Sequence, residues 1–199
     1  KGYIVVSVDN RGTGARGREF QKMTYQNLGH YETIDQIAGA NYLAEQPYVD
    51  STRIGIFGWS YGGYLSLLSL AKGSEAFQTG VAVAPVTDWR FYDNIYTERY
   101  MRRPSVNEEG YEQSSVLNYA DEFEDHFLLV HGMYDDNVHP QHSMELMRRL
   151  INRNHAFDSE VYPNKTHSIS GGFTRYHLFN RITQYLDNHL KSPESAKAQ

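Results

Sequence analysis

One serine in this chain is placed among glycines in a way that suits nucleophilic attack. Ser60 lies in Gly58-Trp59-Ser60-Tyr61-Gly62, after the apolar β-type run 53–57 and ahead of the helix-compatible run 64–72. A strand, a sharp turn and a helix in that order make a nucleophile elbow. The turn lifts the hydroxyl clear of the sheet and sets the next backbone N–H beside a reacting carbonyl. Side chains at Gly58 and Gly62 are expected to crowd such a turn. The bland alternative, a Gly-rich strand-to-helix turn without chemistry, has less in its favour because the flanking strand and helix are both present.

A lone hydroxyl needs a base, and the base needs an orienting acid. In α/β-hydrolase folds the chain order is serine, acid, histidine. The apolar run 127–130 ends at His131-Gly132 and leads into Asp135-Asp136-Asn137-Val138, an acidic loop at the C-terminal end of a strand, where parallel sheets place their chemistry. A weaker strand pattern at 160–163 runs into Asn164-Lys165-Thr166-His167-Ser168, which puts His167 at the same sheet edge. There are 9 histidines. His139 is the main rival to His167, but it precedes the weak strand. His131 reads as a hydrogen-bonded packing residue. His30, His126, His142, His155, His177 and His189 read as solvated. Position alone does not choose between Asp135 and Asp136, one of which is expected to bond backbone N–H groups in the turn. The serine hydroxyl is expected about 2.6–3.2 Å from the histidine ring.

Trp89, Phe91, Tyr92, Tyr96 and Tyr100 fall in one short stretch, and tyrosine makes up 16 of 199 residues. Such a cluster is either a half-buried aromatic layer or a flat-walled pocket for a compact apolar ring such as proline.

These motifs also carry a family resemblance. Gly58-Trp59-Ser60-Tyr61-Gly62-Gly63-Tyr64, the stretch 84–93 with Tyr96-Thr97-Glu98-Arg99-Tyr100, and His131-Gly132 followed by Asp135-Asp136-Asn137-Val138-His139 resemble the prolyl oligopeptidase family, specifically its dipeptidyl peptidase IV branch. The resemblance runs from about residue 3 to about residue 190. It implies Ser60 as nucleophile, Asp135 as orienting acid, His167 as base, a structural Asp136, and the Tyr61 backbone N–H as half of an oxyanion hole. It implies that Tyr61, Val86, Trp89, Tyr92, Tyr96 and Val138 line a pocket for proline or alanine, and that Asn137 contacts the substrate backbone. The implied activity is release of N-terminal dipeptides with Pro or Ala second. The other readings are a tripeptidyl or acylaminoacyl peptidase or an esterase on the same triad, and, in another class, a catalytically silent interaction domain. The resemblance further implies an upstream β-propeller supplying an amine anchor, an upstream tyrosine hydroxyl for the oxyanion hole, homodimerisation near 179–190, and a location in the periplasm, at the cell surface or outside the cell.

Bulk composition is that of one globular domain: 40% hydrophobic and 22% charged residues. A net charge of −5 without a basic run argues against nucleic acid as partner. With 0 cysteines, disulfides, thiol chemistry and cysteine-based zinc sites are excluded. No metal or organic cofactor is expected. No apolar run is long enough to span a bilayer.

The elements that must position these residues alternate strand and helix, as in a mostly parallel α/β-hydrolase sheet with helices on both faces. Strands are expected at 3–8, 53–57, 81–84, 127–132 and 160–163. Ile34, Ile37, Ala38 and Tyr42 mark one helix. Met144, Met147, Leu150 and Ile151 mark another, and Phe179, Ile182, Leu186 and Leu190 mark the last. Five strands are short of the usual set, so the catalytic domain over 1–190 is expected to be N-terminally truncated. The polar stretch 191–199 reads as a disordered tail.

Overall fold

The computed structural model describes residues 1–124 and 126–191. Two helices, α1 (Arg18–Lys22) and α2 (His30–Ala44), precede the sheet. Then come β1 (Gly55–Trp59), α3 (Tyr61–Lys72) and β2 (Thr79–Val83). A 3₁₀ turn at Trp89–Phe91 leads to α4 (Asn94–Met101) and α5 (Glu108–Ser114). The chain continues through β3 (His126–Gly132), α6 (Gln141–Asn152), β4 (Asp158–Tyr162) and α7 (Thr174–Leu190).

The four strands pair in the order β1-β2-β3-β4, all parallel, with Gly58 opposite Ala82 and Ala82 opposite Leu129. Parallel neighbours need crossover connections, and right-handed crossovers advancing in one direction stack the connecting helices on one face. Alternation along the strands serves both faces. Ala82, Phe127 and Leu129 pack with Leu67 and Leu70 of α3 and Leu146 and Leu150 of α6. Val81, Val83, Leu128 and Val130 pack with Leu178, Ile182 and Tyr185 of α7. Central strands buried on both sides explain the near-continuous apolar runs. Among the described residues no helix is long and apolar enough to cross a membrane.

The structure departs from the sequence expectations at the N-terminal side. Residues 3–8 form no strand, and Val5 is 89% exposed. A strand is a pairing state, and this run pairs with none of the four strands. Among the described residues the sheet therefore has four strands, not five. In α2 the buried residues are Glu32, Thr33 and Ala40, and the expected Ile37 packs partly buried on the core, whereas Ile34, Ala38 and Tyr42 are exposed. The helix packs on α3 through its other side, and its apolar stripe borders a groove of about 740 Å³ with Val6 and Val8. In α6 and α7 most of the expected face is inward, with Leu150, Ile182 and Leu190 buried and Met147 and Leu186 packed on the core, and only its flanks shift. Leu146 and Leu178 are buried, while Ile151 and Phe179 are exposed. Residues 192–199 of the expected tail lie outside the described residues.

Candidate active site

Ser60 sits between the end of β1 and the first turn of α3 with φ 59° and ψ −117°. A non-glycine residue held there is strained by about 1–3 kcal/mol and persists only where its surroundings fix it. The fixing contacts are the Ser60 N–H, which donates to the Val83 carbonyl at 2.8 Å, and the Ser60 carbonyl, which accepts from Tyr64 N–H at 3.0 Å. The glycine requirement falls differently from the expectation. A Cβ at Gly58 would lie 2.0 Å from the Gly62 carbonyl oxygen, and one at Gly63 would lie 2.9 Å from that of Val83. One at Gly62 would meet nothing within 4 Å. Crowding thus comes from Gly58 and Gly63, because the helix start folds back over the strand end. Tyr61, the first residue of α3, has a backbone N–H with no intrahelical acceptor.

The acid and the histidine are built on adjacent strand ends. The loop after β3 and the loop after β4 are tied by Met133 N–H to the Tyr162 carbonyl (3.0 Å) and Tyr134 N–H to the Lys165 carbonyl (2.9 Å). Gly132 permits this approach, since a Cβ there would be 2.4 Å from the Lys165 oxygen. Asp135 is buried. Its Oδ1 accepts from the N–H groups of Asn137 (3.0 Å) and Val138 (2.9 Å), and its Oδ2 accepts from His167 Nδ1 at 2.7 Å. One carboxylate therefore does both the turn-capping and the imidazole-orienting work that the sequence left open between Asp135 and Asp136. Asp136 is exposed. Burial alone would raise the Asp135 pKa. The bonds from His131, His167 and the turn outweigh it and hold the carboxyl well below the usual range.

His131 is fully buried, its Nδ1 2.6 Å from Ser143 Oγ and its Nε2 2.8 Å from the Val138 carbonyl. It braces the acid loop against α6. His139 is exposed. His142 is not solvated as expected but fully buried, with Nδ1 accepting from Thr87 N–H at 3.0 Å. The amphipathic face of α6 turns it inward, beneath Phe91 at 5.6 Å. His167 is brought to the elbow through the backbone, for Trp59 Nε1–H donates to its carbonyl at 3.1 Å. Among the described residues no hydrogen bond joins Ser60 Oγ to the His167 ring, so the expected contact is not formed in this structure.

The aromatic stretch packs as one body beside Tyr61. Trp89 lies 5.6 Å from the Tyr61 ring, 5.8 Å from Tyr92 and 5.8 Å from Tyr96, with which it is stacked. At 1% exposure Trp89 is the base of this layer and not an open wall. Val86 and Val138 are buried in the same cluster, and Tyr92 O–H donates to Asn137 Oδ1 at 2.7 Å. Tyr61 and Tyr96 also face a cavity of about 690 Å³ shared with Glu32, Tyr100 and Arg99. Ser60 is not part of its lining. Glu32 is a residue that sequence reasoning missed. An acid in a helix first turn ordinarily reads as a solvated partner of the helix dipole, but this one is 3% exposed and accepts from Tyr61 O–H at 2.6 Å. Among the described residues no cluster of three or more His, Asp or Glu could hold a metal ion.

The sequence profile of the prolyl oligopeptidase family matches residues 1–193. A probable dipeptidyl-aminopeptidase B of Arthroderma gypseum is 50% identical over 192 residues, 95% of this chain and 20% of the relative. The protein of that name from Aspergillus terreus is 47% identical over 190 residues, 94% of this chain and 21% of the relative. The crystal structure of Porphyromonas gingivalis dipeptidyl peptidase 4 superposes with a TM-score of 0.90 at 52% identity, covering 92% of this chain and 26% of that one. A putative dipeptidyl aminopeptidase IV from Bacteroides ovatus gives 0.88 at 40% identity, with the same coverage. The chain thus spans about a fifth of the length of the curated relatives it matches.

Proposed function

Because this chain belongs to the prolyl oligopeptidase family, we propose that it carries the acyl-transfer centre of a serine peptidase that releases dipeptides from N-termini with Pro or Ala in second position. The observation that carries the reading is Asp135 bound to His167 at 2.7 Å on a loop anchored to the residue before a strained Ser60.

In the reaction Ser60 Oγ attacks the carbonyl of the second substrate residue while His167 Nε2 takes its proton. Asp135 holds Nδ1–H of the ring, fixing the tautomer and stabilising the imidazolium. The Tyr61 backbone N–H supports the oxyanion. The C–N bond breaks as His167 returns the proton to the leaving amine, and water, deprotonated by His167, then cleaves the Ser60 ester to free the dipeptide and the serine. The Ser60–His167 contact must tighten for the first step, an adjustment of the kind that substrate binding makes. Proline in a peptide offers no N–H, so selection rests on shape. Tyr61, Tyr92 and Tyr96 supply the flat apolar surfaces, backed by buried Trp89, Val86 and Val138, and Asn137, held by Tyr92, is placed for the substrate backbone. The amine anchor, a second oxyanion donor, a β-propeller and a homodimeric partner belong to the same proposal and concern the whole protein.

In the full-length protein a fluorophosphonate probe is expected to label Ser60, and a glycyl-prolyl chromogenic amide to be hydrolysed. Ser60→Ala should abolish both. Asp135→Asn should lower kcat by about 10³–10⁴-fold, since the wrong imidazole tautomer then faces the serine. Absence of labelling in the unaltered protein would favour the silent interaction domain.

A further inference from the structure

Two tyrosines one turn apart on α3 grip the start of α2. Tyr64 Oη lies 2.9 Å from the Leu28 carbonyl, so close that a Cβ on Gly29 would fall 2.2 Å from it. Tyr61 O–H donates to Glu32 Oε1 at 2.6 Å. Glu32 is almost fully buried, and its Oε2 is buried without a hydrogen-bond partner. Burial raises its pKa, opposed by the Tyr61 bond and nearby helix N–H groups. A buried acid with one oxygen unanswered costs stability. Nothing in the triad uses it, and an apolar side chain would fill the same space. Groups that break the rules of core packing without a structural gain tend to serve a site.

We propose that Glu32 is a positioning residue that sets substrate choice: by holding the Tyr61 phenol it fixes the Tyr61 ring as the wall of the pocket that receives the second residue of the substrate. This rests on the proposed peptidase function and deepens it. Tyr61 joins the elbow to the pocket. Its backbone follows Ser60, and its ring meets Trp89 at 5.6 Å and Tyr64 at 5.5 Å. Behind it lies the 690 Å³ cavity lined by Tyr61, Glu32 and Tyr96, so a released ring has room to swing back. The backbone N–H is held by α3 itself, so release of the phenol loosens the wall and leaves the oxyanion donor in place. A prolyl ring fills the pocket and feels a loose wall. An alanyl methyl fills little of it and does not.

The test compares Glu32→Gln, Glu32→Leu, Tyr61→Phe and the Glu32→Leu/Tyr61→Phe double variant in the full-length protein, on Xaa-Pro and Xaa-Ala amides. Glu32→Leu and Tyr61→Phe should each lower kcat/KM for Xaa-Pro about tenfold, chiefly through KM, and for Xaa-Ala less than about threefold. Glu32→Gln keeps an acceptor and should stay within about threefold of the unaltered protein on both. The double variant leaves neither polar atom unpaired, so it should be at least as stable as the unaltered protein yet no more impaired than either single variant. Equal losses on Pro and Ala substrates, multiplying single effects, or recovery of prolyl activity in the double variant would each overturn the assignment. Fluorophosphonate labelling of Ser60 should persist in all forms, because none of the substitutions removes the nucleophile, its base or the orienting acid. Failure of the unaltered protein to label would instead remove the peptidase function, and this inference with it.

Discussion

A histidine can be locked neutral by geometry alone, and His142 is such a case. Its Nδ1 faces the Thr87 N–H donor, so a second proton has no place there without breaking that bond. Burial, followed by the fields of His131 and His139, pushes its pKa down to about 3. The unfolded chain takes the proton near pH 6.5 and the folded chain does not. Between about pH 6.5 and 3 the unfolded state therefore binds more protons, and stability falls as pH falls, by up to roughly 1.4 kcal/mol per unit. Asp135 adds to this only lower down. Its depressed pKa contributes stability above the unfolded value near 3.9, which is lost as pH drops below it. Urea unfolding from pH 7 to 4.5 should show the loss, and His142→Gln, which keeps an acceptor for Thr87, should flatten it. An unchanged slope in that variant would assign the acid sensitivity elsewhere. The sequence could not disclose this residue, because inward placement of a polar side chain depends on which helix face meets the sheet. Ser60, Asp135 and His167 were legible because their signals are local: a glycine-set turn and two polar loops, each at the end of an apolar run.

The elbow shows where glycine spacing carries a fold and where it does not. Gly58→Ala would put a methyl 2.0 Å from the Gly62 carbonyl oxygen, a backbone atom that cannot yield without moving the helix start. It should lower the thermal midpoint markedly, with a loss of several kcal/mol of the kind overpacked cores show. Gly62→Ala meets open space within α3 and should preserve or raise stability, by up to about 1 kcal/mol from helix propensity. Calorimetry on the two variants separates them, and a comparable loss at Gly62 would mean that the helix start is tighter than this packing shows. The flanking glycines look equivalent in the sequence, since the pattern records spacing and not which Cβ direction is blocked. The same limit explains α2 and α6, whose periodicity marked helices correctly and placed Ile37, Met147 and Leu150 against the core, but also took in Ile34, Tyr42 and Ile151, which the packing leaves outside. A period identifies an amphipathic element. Only the neighbour defines which side is inward, and for α2 that neighbour is α3 meeting Glu32, Thr33 and Ala40.

At the scale of the molecule, β1 and β4 are both edges of the described sheet, and the β1 side carries the exposed apolar residues of the N-terminal region. β1 is an edge in the pairing order, and Phe57 on it is 47% exposed. Residues 3–6 and the outward stripe of α2, with Ile34 and Tyr42, lie exposed on the same N-terminal part of the chain. Four β-prone residues in a row without a ladder, together with a free parallel edge, form a template for another chain. α7 adds a second apolar surface, with Phe173, Tyr176 and Phe179 all exposed. The 199 residues expressed by themselves should therefore self-associate, and light scattering should show species above 22.9 kDa that grow with concentration. The two surfaces can be told apart. Val5→Lys with Phe57→Lys should dissolve assembly through the edge, because charges on an exposed strand oppose edge pairing. Phe173→Glu with Phe179→Lys should act only on assembly through α7. Persistence of association in both pairs of variants would place the contact elsewhere, and a monomer at high concentration in the unaltered chain would show that neither exposed surface is adhesive.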